Sequence, residues 1–167
     1  MGSFNRVEFD KEIEGLLSKA EENIPNEILP DLPYMKSVSD VHEWYDFEHK
    51  LWDTGEEIRQ VVFSSKKAFS NNQIDRILNI CLDVRAKRGR QSFVMLLGQT
   101  KYCDYSSVLI PLLQDEDVNG HVIDTLYKMR ANSYVALVTP FLDHKQTWIR
   151  NTAKKYVLKF TDSDYTG

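Results

Sequence analysis

Stretches in the second half of the chain repeat one another at a nearly fixed offset, and this periodicity limits the fold more than any other feature. Residues 93–100 (FVMLLGQT) have a counterpart in residues 122–129 (VIDTLYKM), 29 positions later. Residues 109–115 match residues 138–144 at the same offset, with Pro111 set against Pro140. Val118-Asn119 then aligns with Ile149-Arg150 at an offset of 31, as do Val122 with Ala153 and Leu126 with Val157. Leu82-Asp83 fits Leu113-Gln114 at 31 as well, which places a degenerate copy before these. A period near thirty residues that holds two short amphipathic helices is the signature of an α-solenoid, because each hairpin buries its apolar face only when the next one stacks on it.

Composition agrees with a helical chain. Seven glycines and five prolines in 167 residues are too few for the frequent turns of an all-β fold. At this length one domain with a real core is expected, spanning residues 1–167. The first helix is predicted over residues 4–22, with Phe9, Ile13, Leu16, Leu17, Ala20 and Ile24 on one face. Pro25, Pro30 and Pro33 predict an irregular connector over 25–38. Asp40 and Glu43 form a capping-box pattern for a second helix lined by Trp44, Phe47, Leu51, Ile58 and Val62. Gly55, inside a second capping pattern from Thr54 to Glu57, marks a kink or a fresh start. A third helix is predicted over 73–84, capped by Asn71 or Asn72, with Ile74, Ile77, Leu78, Cys81 and Leu82 facing inward. The repeats then fill the chain to about residue 160, leaving 161–167 as a tail.

The block from Leu109 through Pro111 and Asp115 to Val118 resembles the second helix, inter-repeat turn and next-helix start of a HEAT repeat. In that family a Val-Arg pair opens the first helix, and Ile149-Arg150 with Ala153 is similar to it. Val118-Asn119 departs from the pattern, with asparagine where the family has arginine. The resemblance covers about residues 70–160, reaches 40–69 only through helix pairing, and leaves 1–38 outside. It implies an all-α fold, a short solenoid of antiparallel helix pairs with an added N-terminal helix and connector. It says little about activity, since one architecture serves many roles.

The residues that could carry chemistry are few. His42, Asp46, His49 and Asp53 stand at i, i+4, i+7 and i+11 and are expected on one helix face. A single helix face rarely closes a zinc site, so a solvated polar face is the expectation and no metal is assigned. His121 and His144 fall near helix starts or turns, where capping roles are expected. Nucleophile elbows, phosphate loops and dinucleotide fingerprints are missing from the sequence, so no catalytic residue and no cofactor is assigned. Cys81 and Cys103 lack metal-ligand spacing and read as buried free thiols. The basic run from Arg85 to Arg90 reads either as a contact for phosphate or an acidic surface, or as a solvated inter-repeat turn near a helix C-terminus, the latter being favoured.

Charge is unevenly placed. Residues 1–58 hold fifteen Asp/Glu and five Lys/Arg, whereas residues 59–167 hold ten and sixteen. An acidic end repels nucleic acid and attracts a cationic protein. Aromatic residues beside carboxylates make good protein-binding surfaces, and Tyr45 and Trp52 flank the Asp46/His49/Asp53 face. The expected partner-binding set is therefore Glu43, Tyr45, Asp46, His49, Trp52, Asp53, Glu56 and Glu57. In architecture and size the chain is similar to the HEAT-like immunity proteins of bacterial toxin systems. That likeness implies an inhibitor of a cationic toxin domain, such as a nuclease, acting as a monomer or in a 1:1 complex. A generic scaffold and a HEAT-like DNA glycosylase are the alternatives. The mixed charge of residues 1–10 and the lack of a long apolar stretch lead to the expectation of a cytoplasmic chain with no membrane segment.

Overall fold

The structure, a computed structural model, describes residues 5–36 and 41–161. Among these the fold is all-helical, as the sequence predicts, with one isolated β-bridge between Tyr34 and His42. The chain divides into two compact units, residues 1–93 and 94–167.

In the first unit, α1 (Arg6–Asn23) opens on Asn5, whose side chain accepts from the Glu8 amide at 2.9 Å while Glu8 Oε2 takes the Asn5 amide at 3.1 Å. This reciprocal cap satisfies two donors that a helix start leaves orphaned. The helix begins two residues later than the expected start at Phe4, which lies outside the described residues. Phe9, Ile13, Leu17 and Ala20 are fully buried, and α1 packs on α2 (Asp46–Ser65). The proline-rich connector is irregular over 25–36 as expected, and among the described residues no helix forms between Asn23 and Asp46.

Helix α2 departs from expectation in three ways. Asp40 of the expected capping box lies outside the described residues, and Glu43 precedes the helix rather than standing in its first turn. The cap is supplied later: the Glu48 carboxylate reaches back to accept from the Tyr45 amide at 3.0 Å. The buried side is Glu48, Leu51, Thr54, Gly55, Ile58 and Ser65, so Phe47 and Val62 are only half-buried at its margins and Trp44 lies before the helix. Gly55 marks neither a kink nor a restart. A Cβ there would lie 2.0 Å from Ser92 Oγ and 2.7 Å from Ser92 Cβ, so the glycine permits a close approach.

Helix α3 (Asn71–Leu82) is capped by Ser70 rather than Asn71 or Asn72, in a reciprocal pair with Gln73. It ends two residues before the expected end at Val84. It buries Ile74, Ile77, Leu78 and Cys81, whereas Leu82, expected inside, is 41% exposed. Residues Val84–Arg90 form a 3-10 segment broken at Lys87, whose φ of 48° and ψ of −135° are not helical. The basic run is therefore not a solvated turn. Arg90 is fully buried, donating to the carbonyls of Lys87 at 2.7 Å and Cys81 at 3.3 Å, and Lys87 is 7% exposed. Helix α4 (Gln91–Met95) follows.

The second unit carries the repeat. Helix α5 (Ser106–Leu109) runs into a 3-10 turn at Ile110–Gln114, and α7 (Val135–Val138) runs into one at Thr139–Asp143, each with its proline in the first turn. Each pair is followed by a longer helix, α6 (Asn119–Met129) and α8 (Thr147–Thr161). Val118, Val122, Thr125 and Met129 are buried, and so are Ile149, Ala153, Tyr156 and Phe160, each 31 residues further on. The match between 93–100 and 122–129 is looser, since α4 stops at Met95 while the later segment is helical throughout. Helices α6 and α8 pack together, and the Tyr156 hydroxyl donates to the Ala131 carbonyl and accepts from the Tyr134 amide at 3.2 Å. Arg150 reaches back to the turn before its own helix, donating to the carbonyls of His144 at 2.7 Å and Lys145 at 3.1 Å. Asn119 cannot do this and instead accepts from the Gly120 amide at 2.8 Å.

Candidate functional site

The sequence placed its candidates around the start of α2, and the local structure there is set by one half-buried arginine. Arg88 donates through Nη1 to the His42 carbonyl and through Nη2 to the Glu43 carbonyl, both at 2.6 Å. Its Nε meets Glu48 Oε2 at 3.3 Å, and its backbone amide donates to the same oxygen at 3.1 Å. The guanidinium also lies over the Trp44 ring, 5.1 Å from the centroid. Glu48 is 1% exposed at its side chain, so this charge is tolerated inside because it is paired and hydrogen-bonded on both oxygens.

The lead-in segment is held from the other side by the connector. Met35 donates its amide to the Val41 carbonyl at 2.7 Å, and Glu43 donates to the Pro33 carbonyl at 2.8 Å. His42 pairs through Nδ1 with the Leu32 carbonyl at 2.5 Å and stacks on Tyr34 with centroids 4.1 Å apart. Lys87 reaches Asp31 at 2.8 Å, and that hydrogen bond holds the Asp31 carboxyl below the usual carboxylate range. The connector from Asp31 to Met35 is thus held by Lys87 of the 3-10 segment and by short contacts with residues 41–43.

Between these parts lies an open pocket of ≈ 490 Å³ lined by Met35, Glu43, Trp44, His49 and Trp52. His49 stacks on Trp44 at 5.1 Å between centroids, which fixes the indole together with Arg88. Trp52 stands one turn beyond His49 on the same side of α2. The Glu43 backbone is tied at both its amide and its carbonyl. Its exposed carboxylate has no ion-pair partner among the described residues.

Of the eight residues singled out from sequence, Glu43, His49 and Trp52 come together in this pocket. Asp46, His49, Trp52, Asp53, Glu56 and Glu57 share one side of α2, opposite buried Leu51 and Ile58. Their charges are not equally free. Asp46 is paired with Lys50 at 3.0 Å, Glu56 with Arg59 at 2.8 Å, and Glu57 with Lys19 of α1 at 3.1 Å. Asp53 is exposed and, like Glu43, has no ion-pair partner among the described residues. Tyr45 does not stand out as an anchor: it is half-buried, stacks on Phe47 at 5.4 Å, and donates its hydroxyl to the Pro30 carbonyl at 2.5 Å.

His42 does not share a helix face with Asp46, His49 and Asp53, because α2 starts after it. Among the described residues no group of three or more His, Cys, Asp or Glu side chains is placed to hold a metal ion. His144 takes the turn role expected of it, accepting from the Gln146 amide at 3.0 Å. His121 is half-buried against Trp148, with centroids 5.1 Å apart. Sequence reasoning missed Met35 and Trp44 as pocket walls and Arg88 as the residue that organises them. The available signal was Arg88 itself, a cation in a run too close to an apolar helix to be wholly solvated. Among the described residues no helix is long and apolar enough to cross a membrane. No family model, curated protein or solved structure matches this chain.

Proposed function

We propose that this chain is a protein-binding inhibitor that neutralises a cationic protein domain, of the kind a bacterial immunity protein holds in check, through the N-terminal half of α2 and the pocket beside it. One observation carries the reading. Glu43 and Asp53 present carboxylates with no ion-pair partner among the described residues, next to the indoles of Trp44 and Trp52. Unpaired carboxylates give long-range attraction, and fixed aromatic rings give contact area with little entropy to lose on binding. The remaining acidic residues of the same helix side extend the negative field, though Asp46, Glu56 and Glu57 already have intrachain partners and contribute less to it.

The turned-in basic run favours this over a nucleic-acid role. Arg88 and Arg90 spend donors on backbone carbonyls of the same unit, Arg88 also pairs with Glu48 and Arg85 pairs with Asp83 at 2.6 Å, so these side chains are engaged within the fold. A phosphate-binding groove needs its cations free.

The test pairs this chain with the C-terminal domain encoded immediately upstream in its genome. Expressed alone, that domain is expected to arrest bacterial growth, and co-expression of this chain to restore it. The variant carrying Asp53→Lys with Glu43→Lys should fold normally and lose the rescue. Unimpaired growth without this chain, or arrest that it does not relieve, overturns the proposal.

A further inference from the structure

We propose that the pocket formed by Met35, Glu43, Trp44, His49 and Trp52 is a receptor for a single cationic side chain, an arginine or lysine presented by the protein partner. This rests on the reading of the chain as a binder of a cationic protein and names the group by which it is gripped.

The argument starts from the lining. Two indoles, an imidazole and a thioether line an open pocket of ≈ 490 Å³, large enough for a long side chain and part of its flanking backbone. An aromatic ring attracts a cation over its face, and the attraction grows as water is excluded. Arg88 and His49 already lie against the Trp44 ring, whereas Trp52 stacks on no other ring among the described residues and is the indole that offers a face. An anion is repelled by the same faces, and a neutral apolar group would leave the Glu43 carboxylate desolvated with nothing to pair it. The Arg88 charge over Trp44 does not cancel the preference, because Glu48 neutralises it, one carboxylate oxygen accepting from both the Arg88 Nε and its backbone amide. Glu43 is then the unbalanced charge in the lining.

The pocket is also built in advance. The Glu43 backbone is fixed at both ends by Pro33 and Arg88, and Trp44 is fixed by Arg88 and His49. His49 and Trp52 ride on the first turns of a helix whose opposite side is buried. Little ordering remains to be done when a ligand arrives, which is the condition under which a small contact gives measurable affinity.

The experiment uses the full chain and three small probes: N-acetyl-arginine N-methylamide, N-acetyl-lysine N-methylamide, and the neutral N-acetyl-norleucine N-methylamide. The indole N–H signals of the three tryptophans are followed by NMR as each probe is titrated. At least one cationic probe should shift Trp44 and Trp52 with a saturable dissociation constant on the order of millimolar. Trp148, in the other unit, serves as the internal control and should stay in place. Glu43→Gln, a substitution at an exposed side chain, should weaken the cationic probe about tenfold, the size of one charge-assisted contact. Equal shifts with the norleucine probe, no saturation with either cation, or an unchanged constant in Glu43→Gln would overturn the proposal. The partner assay separates this from the broader reading. Rescue of growth that survives Glu43→Gln with Trp52→Leu removes the pocket as the anchor while leaving the inhibitor in place. A pocket that takes the probe in a chain that rescues nothing removes the inhibitor and leaves the pocket.

Discussion

Glu48 and Arg88, forty residues apart in sequence, form a buried pair in which one carboxylate oxygen accepts from both the guanidinium Nε and the backbone amide of the same arginine. The other oxygen caps α2 through the Tyr45 amide. Removing one member should therefore cost more than the pair contributes. Glu48→Ala leaves a 14%-exposed guanidinium without its counter-charge, and a loss of about 3–5 kcal/mol is expected. Glu48→Gln keeps one of the two acceptor oxygens and should lose visibly less. Urea unfolding midpoints of the two variants check the order, and equal losses would show that the charge, which both variants remove, matters more than the hydrogen bonds.

Gly55 gives a second prediction, because two effects oppose each other there. Alanine is favoured over glycine in a helix interior by about 1 kcal/mol. A Cβ at this position, however, would lie 2.7 Å from Ser92 Cβ and 3.3 Å from Phe93 Cδ2, so backbone must move to admit it. Overpacking of this kind costs about 1–3 kcal/mol and should win. Gly55→Ala is expected to lower the melting temperature, whereas Gly15→Ala on α1, where a Cβ meets nothing within 4 Å, should raise it.

The repeat was legible in the sequence because its buried positions repeat chemically: Val118 and Ile149, Val122 and Ala153, Pro111 and Pro140 perform the same packing and turn roles. The helix class of α1 and α3 was legible for the same reason, from apolar spacing. The phase of α2 was not. Its apolar residues include Phe47 and Val62 at the margins, while its buried side holds Glu48, Thr54 and Gly55, which hydropathy reads as exposed. Glu48 is inside because Arg88 pairs with it, and a partner forty residues away leaves no trace in local periodicity. The pocket was half legible. Trp52, His49 and Glu43 announce themselves by residue type, but Met35 enters through the fold of the connector, and the role of Trp44 depends on where α2 begins.

Burial of His121 makes the second unit sensitive to acid. Desolvation, only partly offset by Asp124 and reinforced by Lys128, holds its imidazole below the ordinary value. The unfolded chain, with a histidine near ~6.5, therefore takes up this proton at a higher pH than the folded chain does. The stability that follows is fully present above the unfolded-state value and is lost as the pH falls through it towards the lower folded-state value. Melting temperatures measured from about pH 8 down to about pH 5 should fall more steeply for the native chain than for His121→Gln. Parallel curves would place the pH dependence elsewhere.

The two thiols should differ in reactivity. Cys81 is fully buried, and desolvation pushes its thiol up to about 12, so almost no thiolate exists near neutrality. Cys103 is half-buried. A thiol reagent added to the folded chain is expected to modify Cys103 first and Cys81 only after denaturant is added. Mass spectrometry of the labelled peptides decides it.

Lys87 offers a comparison that separates backbone from side chain. Its φ of 48° lies where an L-residue is strained and glycine is not, and its ammonium holds Asp31 at 2.8 Å. Lys87→Ala loses the ion pair and keeps the strain, so it should be the least stable form. Lys87→Gly loses the same ion pair but relieves the backbone, and is expected to exceed the alanine variant in stability by about 1 kcal/mol or more. Because Asp31 is well exposed, its pair with Lys87 is worth little to global stability, and the native chain, which keeps the strained backbone, should lie only slightly above the alanine variant and below the glycine variant. The ion pair should instead show itself locally, in faster amide exchange at Met35 and Glu43 in both variants, since Asp31 ties the connector to the 3-10 segment beneath the pocket. If alanine and glycine are equally stable, the backbone at this position carries no strain; if exchange at Met35 and Glu43 is unchanged, Lys87 does not hold the pocket wall in place.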